Sequence, residues 1–220
     1  MNNYRIVIMK VLITFSFLLM GLVASHAQDA PEANGLSSVA QTSPPANVVK
    51  ASVGPGLIYS KAYTPTGIYT SQFCGDTDLT YQHLWRRGWG LEINHALNVA
   101  NYNHEYLIIQ NYIGPSAVFA YRKGKFGFDV STGIGYVYYV ERMKARDSHN
   151  RIKTFKGTDS GLGLYGHVGV EYIFSKHLGV GAQITALRSV FPRPENDLVP
   201  EDENYGIQRI NILVGPRVYF

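Results

Sequence analysis

From Val48 onward, the dominant pattern in the chain is an alternation of hydrophobic and polar positions with period two. It is clearest between Lys125 and Glu141. The even positions are mostly apolar or aromatic: Phe126, Phe128, Val130, Thr132, Ile134, Tyr136, Tyr138 and Val140. The odd positions are mostly small or polar: Lys125, Gly127, Asp129, Ser131, Gly133, Gly135, Val137, Tyr139 and Glu141. Successive side chains of a strand point to opposite faces. The pattern therefore predicts a strand with one apolar face and one polar face.

The same alternation recurs along the rest of the chain and predicts about eight strands. Their predicted ranges are 48–60, 73–86, 88–99, 105–122, 125–142, 160–174, 177–190 and 205–220. The second is the weakest, because its Asp76, Thr77 and Asp78 fit a loop equally well. Beyond the N-terminus, no apolar stretch approaches the roughly 20 residues that a spanning helix needs. We therefore predict an all-β protein, an eight-stranded antiparallel up-and-down transmembrane β-barrel.

Two orientations of the strands are open: a membrane barrel turns the apolar face outward, whereas a soluble lipocalin-like barrel turns it inward. The polar face is also the glycine-rich face, and the interior of a narrow barrel needs small residues. It also carries charges of both signs, which can pair inside a lumen. The apolar-out orientation predicts a lumen network of Lys50, Glu92, Asp129, His167, Glu171, Arg209 and Arg217. His95 and Asn111 then point outward at mid-strand, which fits a bulge, a shifted register or a contact with another protein.

The N-terminus predicts export. Arg5 and Lys10 precede an apolar run from Val11 to Val23, and small residues at 24–27 suit signal peptidase. We predict a signal peptide at 1–27, with an uncleaved anchor as the alternative, a flexible linker at 28–47 and a barrel at 48–220. Of the 20 basic residues, two lie in the leader, which leaves 18 against 16 acidic residues. This small excess does not indicate a nucleic-acid partner, and a single cysteine excludes an internal disulfide.

The connections predict which end of the barrel faces the cell exterior. Three are short, at 86–88, 123–124 and 175–176, and outer-membrane barrels have short periplasmic turns and long external loops. One predicted external loop, 142–159, is basic. Its cations are Arg142, Lys144, Arg146, Arg151, Lys153 and Lys156. They could bind lipopolysaccharide phosphates, pair with the acidic residues near 195–203, or simply be solvated.

The last eight residues, Leu213–Phe220, alternate in hydrophobicity and end in Phe. This resembles the C-terminal signature that outer-membrane barrels present to their assembly machinery. With the leader and the eight strands, the chain resembles the small outer-membrane β-barrels of the OmpA/OmpX type. The resemblance implies the outer membrane of a Gram-negative bacterium, contact with its lipid and lipopolysaccharide, and recognition of Phe220 by the barrel assembly machinery.

No local Ser-His-acid spacing and no metal-ligand spacing occurs in the sequence. We therefore expect a non-enzymatic barrel with a structural or surface-interaction role, without cofactor or metal, and a monomer as the simplest state. Side chains can fill an eight-stranded barrel, so no large open pore is expected. The alternatives are an outer-leaflet hydrolase or acyltransferase acting on lipid A, a narrow channel, and a soluble periplasmic carrier.

Overall fold

A computed structural model describes residues 47–60, 62–64, 67–69, 72–85, 88–102, 106–146, 152–192 and 206–220. The predicted signal peptide, and the predicted linker except Asn47, lie outside these residues. The strands are β1 (Asn47–Ile58), β2 (Ala62–Thr64), β3 (Gly67–Tyr69), β4 (Gln72–Leu84), β5 (Trp89–Tyr102), β6 (Tyr106–Lys123), β7 (Phe126–Arg146), β8 (Ile152–Ile173), β9 (Leu178–Val190) and β10 (Gln208–Tyr219).

Eight of these strands form a closed antiparallel barrel, in the order β1-β10-β9-β8-β7-β6-β5-β4, and β2 and β3 form a separate two-stranded sheet. The predicted fold class is therefore confirmed. In the described part of the chain, no helix is long and apolar enough to span a membrane. Each strand alternates because one face meets the lumen and the other meets the exterior, and closure leaves no barrel edge unpaired.

The strand register fixes the tilt of the strands. Moving from a residue to its direct partner on the next strand, and repeating this step, leads once around the barrel. A path that starts at Val48 passes through Gln82, Glu92, Ser116, Gly133, Tyr165, Leu187 and Arg209 and ends at Ile58. The path returns to β1 ten residues beyond its start, from Val48 to Ile58. A shift of ten residues over eight strands gives a tilt of ~40°. The tilt determines which outward residues lie above one another along the barrel axis.

The two ends of the barrel differ. At one end, here called the turn end, β6 and β7 are joined by two residues, Gly124 and Lys125, and β8 and β9 by four, Phe174 to His177. Gly88 and Gly124 have φ of 82° and 61° there, a conformation that glycine adopts without strain. The opposite end, here called the hairpin end, carries the long β7–β8 hairpin. The short connections thus lie together, as the sequence predicts.

The apolar face points outward, as predicted. The outward residues Ile134 and Leu164 are each 58% exposed, whereas Asp129, on the inward face of β7, is only 9% exposed. The inward face is less polar than predicted, however. Its buried residues include a cluster in which the largest members are aromatic: Ile58, Ala96, Ala100, Tyr106, Ile108, Tyr112, Val137, Tyr139, Tyr165, Leu187, Phe191 and Ile207. A smaller apolar cluster, Val48, Ile173 and Tyr219, lies in the lumen at the turn end.

One predicted loop is largely a pair of strands in the structure. β7 continues to Arg146 and β8 begins at Ile152, so most of the predicted 142–159 loop is a paired hairpin. The sequence suggested a loop because the segment is rich in charge, but exposed strands tolerate charged side chains. Asp76 and Asp78 also lie within a strand, β4, with both side chains buried in the lumen. The predicted strand 73–86 is thus confirmed over these residues, and the loop alternative is wrong.

Candidate functional site

The turn-end half of the lumen contains a buried ionic contact between β1, β7 and β8, here called the ionic centre. Lys50 Nζ donates to Asp129 Oδ2 at 2.6 Å, and His167 Nε2 lies 2.5 Å from the same oxygen. The Ser131 hydroxyl lies 2.9 Å from His167 Nδ1. Ser131 and His167 are direct partners across β7 and β8, which explains why they meet. The imidazole thus joins a hydroxyl to a carboxylate that is already paired with a lysine.

The network continues across the lumen to β4, β5 and β6. Glu92 Oε1 lies 3.5 Å from His167 Nδ1 and accepts a hydrogen bond from Asn94 Nδ2 at 3.1 Å. Asn94 also donates to the Ser116 hydroxyl at 2.8 Å and accepts from the Thr80 hydroxyl at 2.7 Å. The Glu92–His167 contact joins β5 to β8 across the lumen, whereas the Asn94 contacts join the neighbouring strands β4, β5 and β6. A buried polar network of this kind favours one packing of the strands.

Of the other three predicted lumen residues, two lie beside this contact and one lies nearer the hairpin end. Arg217 donates to Ser52 at 2.9 Å and to Gln183 at 2.8 Å. Arg209 forms a salt bridge with Asp76, nearer the hairpin end. Glu171 faces the lumen opposite Gly127, near the turn end. The structure therefore brings Lys50, Glu92, Asp129 and His167 into one network. Arg217, the direct strand partner of Lys50, and Glu171, which lies within electrostatic range of Lys50 and Asp129, lie beside this network, whereas Arg209 lies at another level.

A pair of stacked tyrosines separates the ionic centre from the hairpin end. The rings of Tyr112 and Tyr165 lie 5.2 Å apart with an interplanar angle of 15°. The Tyr165 hydroxyl donates to Asp78 at 2.9 Å. Glycine makes room for the stack, since a Cβ atom at Gly163 would lie 2.6 Å from Val137 and 3.0 Å from Tyr112. Nearer the hairpin end, Tyr106 and Tyr139 share the carboxylate of Glu141.

The contact Ser131–His167–Asp129 has the residue types of a hydrolytic triad, and the sequence analysis missed it. No local spacing could reveal it, because 36 residues separate Ser131 from His167; the signal was their partnership across β7 and β8. A triad needs a nucleophile that an acyl substrate can reach. Here the Ser131 side chain is 5% exposed, and Lys50 also binds the carboxylate. This geometry favours a structural network.

Replacing Ser131 by alanine is therefore expected to cost only about 1 kcal/mol, the contribution of one buried hydrogen bond. It should leave the acyl pattern of lipid A unchanged in cells that make the protein. Mass spectrometry of lipid A and urea unfolding of the purified barrel would measure the two effects, with Thr154→Val at an exposed position of β8 as the control. A lipid A change that depends on Ser131 would contradict the structural role.

The basic residues predicted to contact lipopolysaccharide lie on the β7–β8 hairpin. Arg142, Lys144 and Lys156 are exposed and occupy its outward face, and Arg142 is the direct partner of Lys156. Lys153 belongs to the opposite face of the hairpin. Arg146 ends β7, and Arg151 lies outside the described residues. Like charges directly opposite one another repel, so an anion bound between Arg142 and Lys156 would stabilise this pair.

Within the described residues, no group of three or more His, Cys, Asp or Glu side chains could hold a metal ion. No family model matches the chain. No curated protein matches it either.

Solved structures, in contrast, match over most of the chain. Neisserial surface protein A is 10% identical, with a TM-score of 0.55, and the match covers 80% of this chain and 97% of that one. OprG from Pseudomonas aeruginosa is 11% identical at a TM-score of 0.46, covering 82% and 98%. Ail of Yersinia pestis is 9% identical at a TM-score of 0.46, covering 80% and 99%. The match to Neisserial surface protein A, at 10% identity, shows the fold: the chain has the fold of the small eight-stranded outer-membrane β-barrels.

Proposed function

We propose that this chain is an integral barrel of the bacterial outer membrane with a structural and surface-interaction role. The observation that carries the proposal is the belt of exposed apolar side chains around the barrel, on every strand from β4 to β10 and on β1. Soluble proteins rarely expose a continuous apolar patch larger than a few hundred Å². The buried ion pairs agree with this: charged groups lie inside the barrel and apolar side chains lie outside, which is the reverse of a soluble protein.

The turn end supports the proposed orientation. Exposed aromatic side chains surround it: Trp85, Trp89, Phe119, Tyr121, Phe126, Tyr172 and Phe174. Aromatic residues concentrate where a membrane meets water. Both barrel termini, Asn47 and Tyr219, lie at this end. In the proposed orientation the turn end faces the periplasm, Phe220 meets the assembly machinery there, and the β7–β8 hairpin projects from the cell.

The surface role that the geometry supports best is binding of lipopolysaccharide phosphates by the outward face of the hairpin. Arg142, Lys144 and Lys156 stand on the same strands as the apolar belt, beyond its hairpin-end margin. Guanidinium and ammonium groups suit phosphate oxygens because they combine charge with hydrogen-bond donors. Their arrangement on a paired hairpin also fixes their spacing, which lowers the entropy that binding would otherwise lose.

The triple variant Arg142→Gln, Lys144→Gln and Lys156→Gln is expected to lower the affinity for lipopolysaccharide about tenfold or more. The loss should shrink with rising salt, because salt screens exposed charges. Titration of the purified barrel in detergent, followed by the rise in melting temperature, would measure it.

The matched control removes the same charge at the turn end, by Lys123→Gln, Lys125→Gln and Lys176→Gln, and should bind as the unmodified protein does. Equal losses in both triple variants would contradict a specific role of the hairpin. The same preparations test the location: the protein should stay with vesicles through a carbonate wash, and its release would contradict an integral barrel.

A further inference from the structure

Two polar side chains interrupt the apolar belt on neighbouring strands. His95 on β5 and Asn111 on β6 both belong to the outward face, since their strand neighbours Asn94 and Gln110 are fully buried in the lumen. The register is constant along the three ladders that contain them, β4–β5, β5–β6 and β6–β7, although Gly114 and Pro115 are unpaired in the last. Neither a bulge nor a shifted register explains these two residues.

Within the described part of the chain, neither the His95 imidazole nor the Asn111 amide group makes a hydrogen bond. Thr132, another polar residue of the outward face, differs, because its hydroxyl donates to the Tyr165 carbonyl at 3.4 Å. An imidazole or amide facing hydrocarbon without a partner is unfavourable, and polar residues inside a membrane usually mark a contact or a path. His95 and Asn111 therefore indicate a partner on this face.

The barrel geometry aligns the two residues along its axis. His95 pairs directly with Ile113, and Asn111 lies two residues from Ile113 towards the hairpin end. At a tilt of ~40°, one step across the ladder rises about 3 Å and two residues along β6 rise about 5 Å more. The sideways displacements of these two steps oppose each other and nearly cancel. Asn111 therefore lies about 8 Å directly above His95.

The line extends towards the turn end when one moves to the partner on the preceding strand and then two residues towards the turn end. From His95 it leads to Tyr81 on β4, and from Tyr81 to Asn47 on β1. The Tyr81 hydroxyl donates to Asn47 Oδ1 at 3.0 Å, so these two residues satisfy each other. Asn47, Tyr81, His95 and Asn111 thus form a straight polar seam, parallel to the barrel axis, that crosses most of the apolar belt.

We propose that the polar seam is the contact between two copies of this chain in the membrane, an inference that rests on the proposed membrane location. Copies inserted in the same orientation are related by a two-fold axis along the membrane normal. Only residues on a line parallel to that axis can all meet their own counterparts. The seam has this geometry, and both an amide and a neutral imidazole donate and accept, so Asn111 pairs with Asn111 and His95 with His95.

The apolar neighbours of the seam suit such a contact. Leu79, Ile93, Leu97, Ile109 and Ile113 flank His95 and Asn111 on the outward face. In a membrane, packing and a few hydrogen bonds drive association, because apolar surface alone gains little over lipid. The sequence alone favours a monomer; the polar seam supplies the hydrogen bonds that a dimer needs.

Cysteine cross-linking in phosphatidylcholine vesicles tests the proposal. In a Cys74→Ser background, Asn111→Cys is expected to give a disulfide-linked dimer on oxidation. Ile184→Cys, an outward position on β9 across the barrel, is the matched control and should stay monomeric. Fluorescence energy transfer between labelled copies should show that His95→Leu with Asn111→Leu weakens association at least about tenfold, whereas Thr132→Leu leaves it unchanged.

The outcomes separate this proposal from the one on which it rests. Failure of the unmodified protein to stay in vesicles through a carbonate wash would overturn the membrane location. A protein that inserts, with strand content confirmed by circular dichroism, but gives no Asn111→Cys dimer would overturn the dimer alone. Equal cross-linking at Ile184→Cys would show random collision, and capture of a different membrane protein by the seam without a dimer would also overturn the proposal.

Discussion

Replacement of Ile134 by arginine is expected to lower the free energy of unfolding of the membrane-inserted barrel by about 2–4 kcal/mol. Ile134 is 58% exposed and lies midway along β7 between Phe126 at the turn end and Arg142 at the base of the hairpin. In the proposed membrane, this position meets the centre of the hydrocarbon. A guanidinium there loses its hydration, and the bilayer must thin or admit water to accommodate it.

The control is Ile152→Arg on the same hairpin. Ile152 is 68% exposed but lies at the far end of β8, beyond the apolar belt, so the cost there should be about 0–1 kcal/mol. Urea unfolding in vesicles, followed by the fluorescence of Trp85 and Trp89, would compare the two variants. In a soluble protein both arginines would meet water, so equal stability of the two variants would exclude the apolar-out membrane barrel.

The sequence was sufficient for the fold because alternation is a local property. Asp129 and Val130 already reveal two faces, and the tight turn at Gly124 sets the pairing of β6 with β7. Glycines such as Gly133 and Gly135 on the polar face indicated which face was inside, since side chains there would collide with β6. Strand ends were harder to predict, because a charged exposed strand such as Lys153–Lys156 looks like a loop in sequence.

The lumen contacts were not predictable to the same extent. Alternation assigned Lys50, Asp129 and His167 to one face, but it could not say that all three meet. Lys50 and Asp129 are 79 residues apart, and their contact depends on the register of all the strands between them and on the curvature of the barrel. The tyrosine stack was not predictable for a related reason. Tyr165 is an aromatic residue on the otherwise small and polar face of β8, and its position there is explained only by the Tyr112 ring that it stacks on and by the space that Gly163 leaves.

The same distinction applies to the polar seam. The sequence marks His95 and Asn111 as misfits on the outward face, but their alignment follows only from the ten-residue shift around the barrel. The lumen network and the seam thus depend on one quantity, the register. Inside the barrel it brings charges together across the lumen. Outside, it places polar groups on a line that another copy can match.

Replacement of Lys50 by methionine is expected to lower the free energy of unfolding by about 3–5 kcal/mol, the cost of removing one partner from a buried ion pair. Lys50 is 2% exposed and its ammonium group donates to Asp129 at 2.6 Å. Without it, the Asp129 carboxylate would depend on His167 alone, in a lumen that also holds Glu92. Methionine has a similar length, so the loss should come from the uncompensated charge and not from a cavity.

A second substitution separates these causes. Adding Asp129→Asn to Lys50→Met removes the stranded charge and keeps a group that can bind His167, so it should recover most of the lost stability. The control is Lys125→Met, the same substitution at a lysine of the solvent-exposed β6–β7 turn. It should change the free energy of unfolding by no more than about 0.5 kcal/mol. Urea unfolding in vesicles would measure all three variants. If Lys50→Met and Lys125→Met have equal free energies of unfolding, the ion pair does not stabilise the barrel. If the double variant is no more stable than Lys50→Met alone, the loss comes from packing around residue 50.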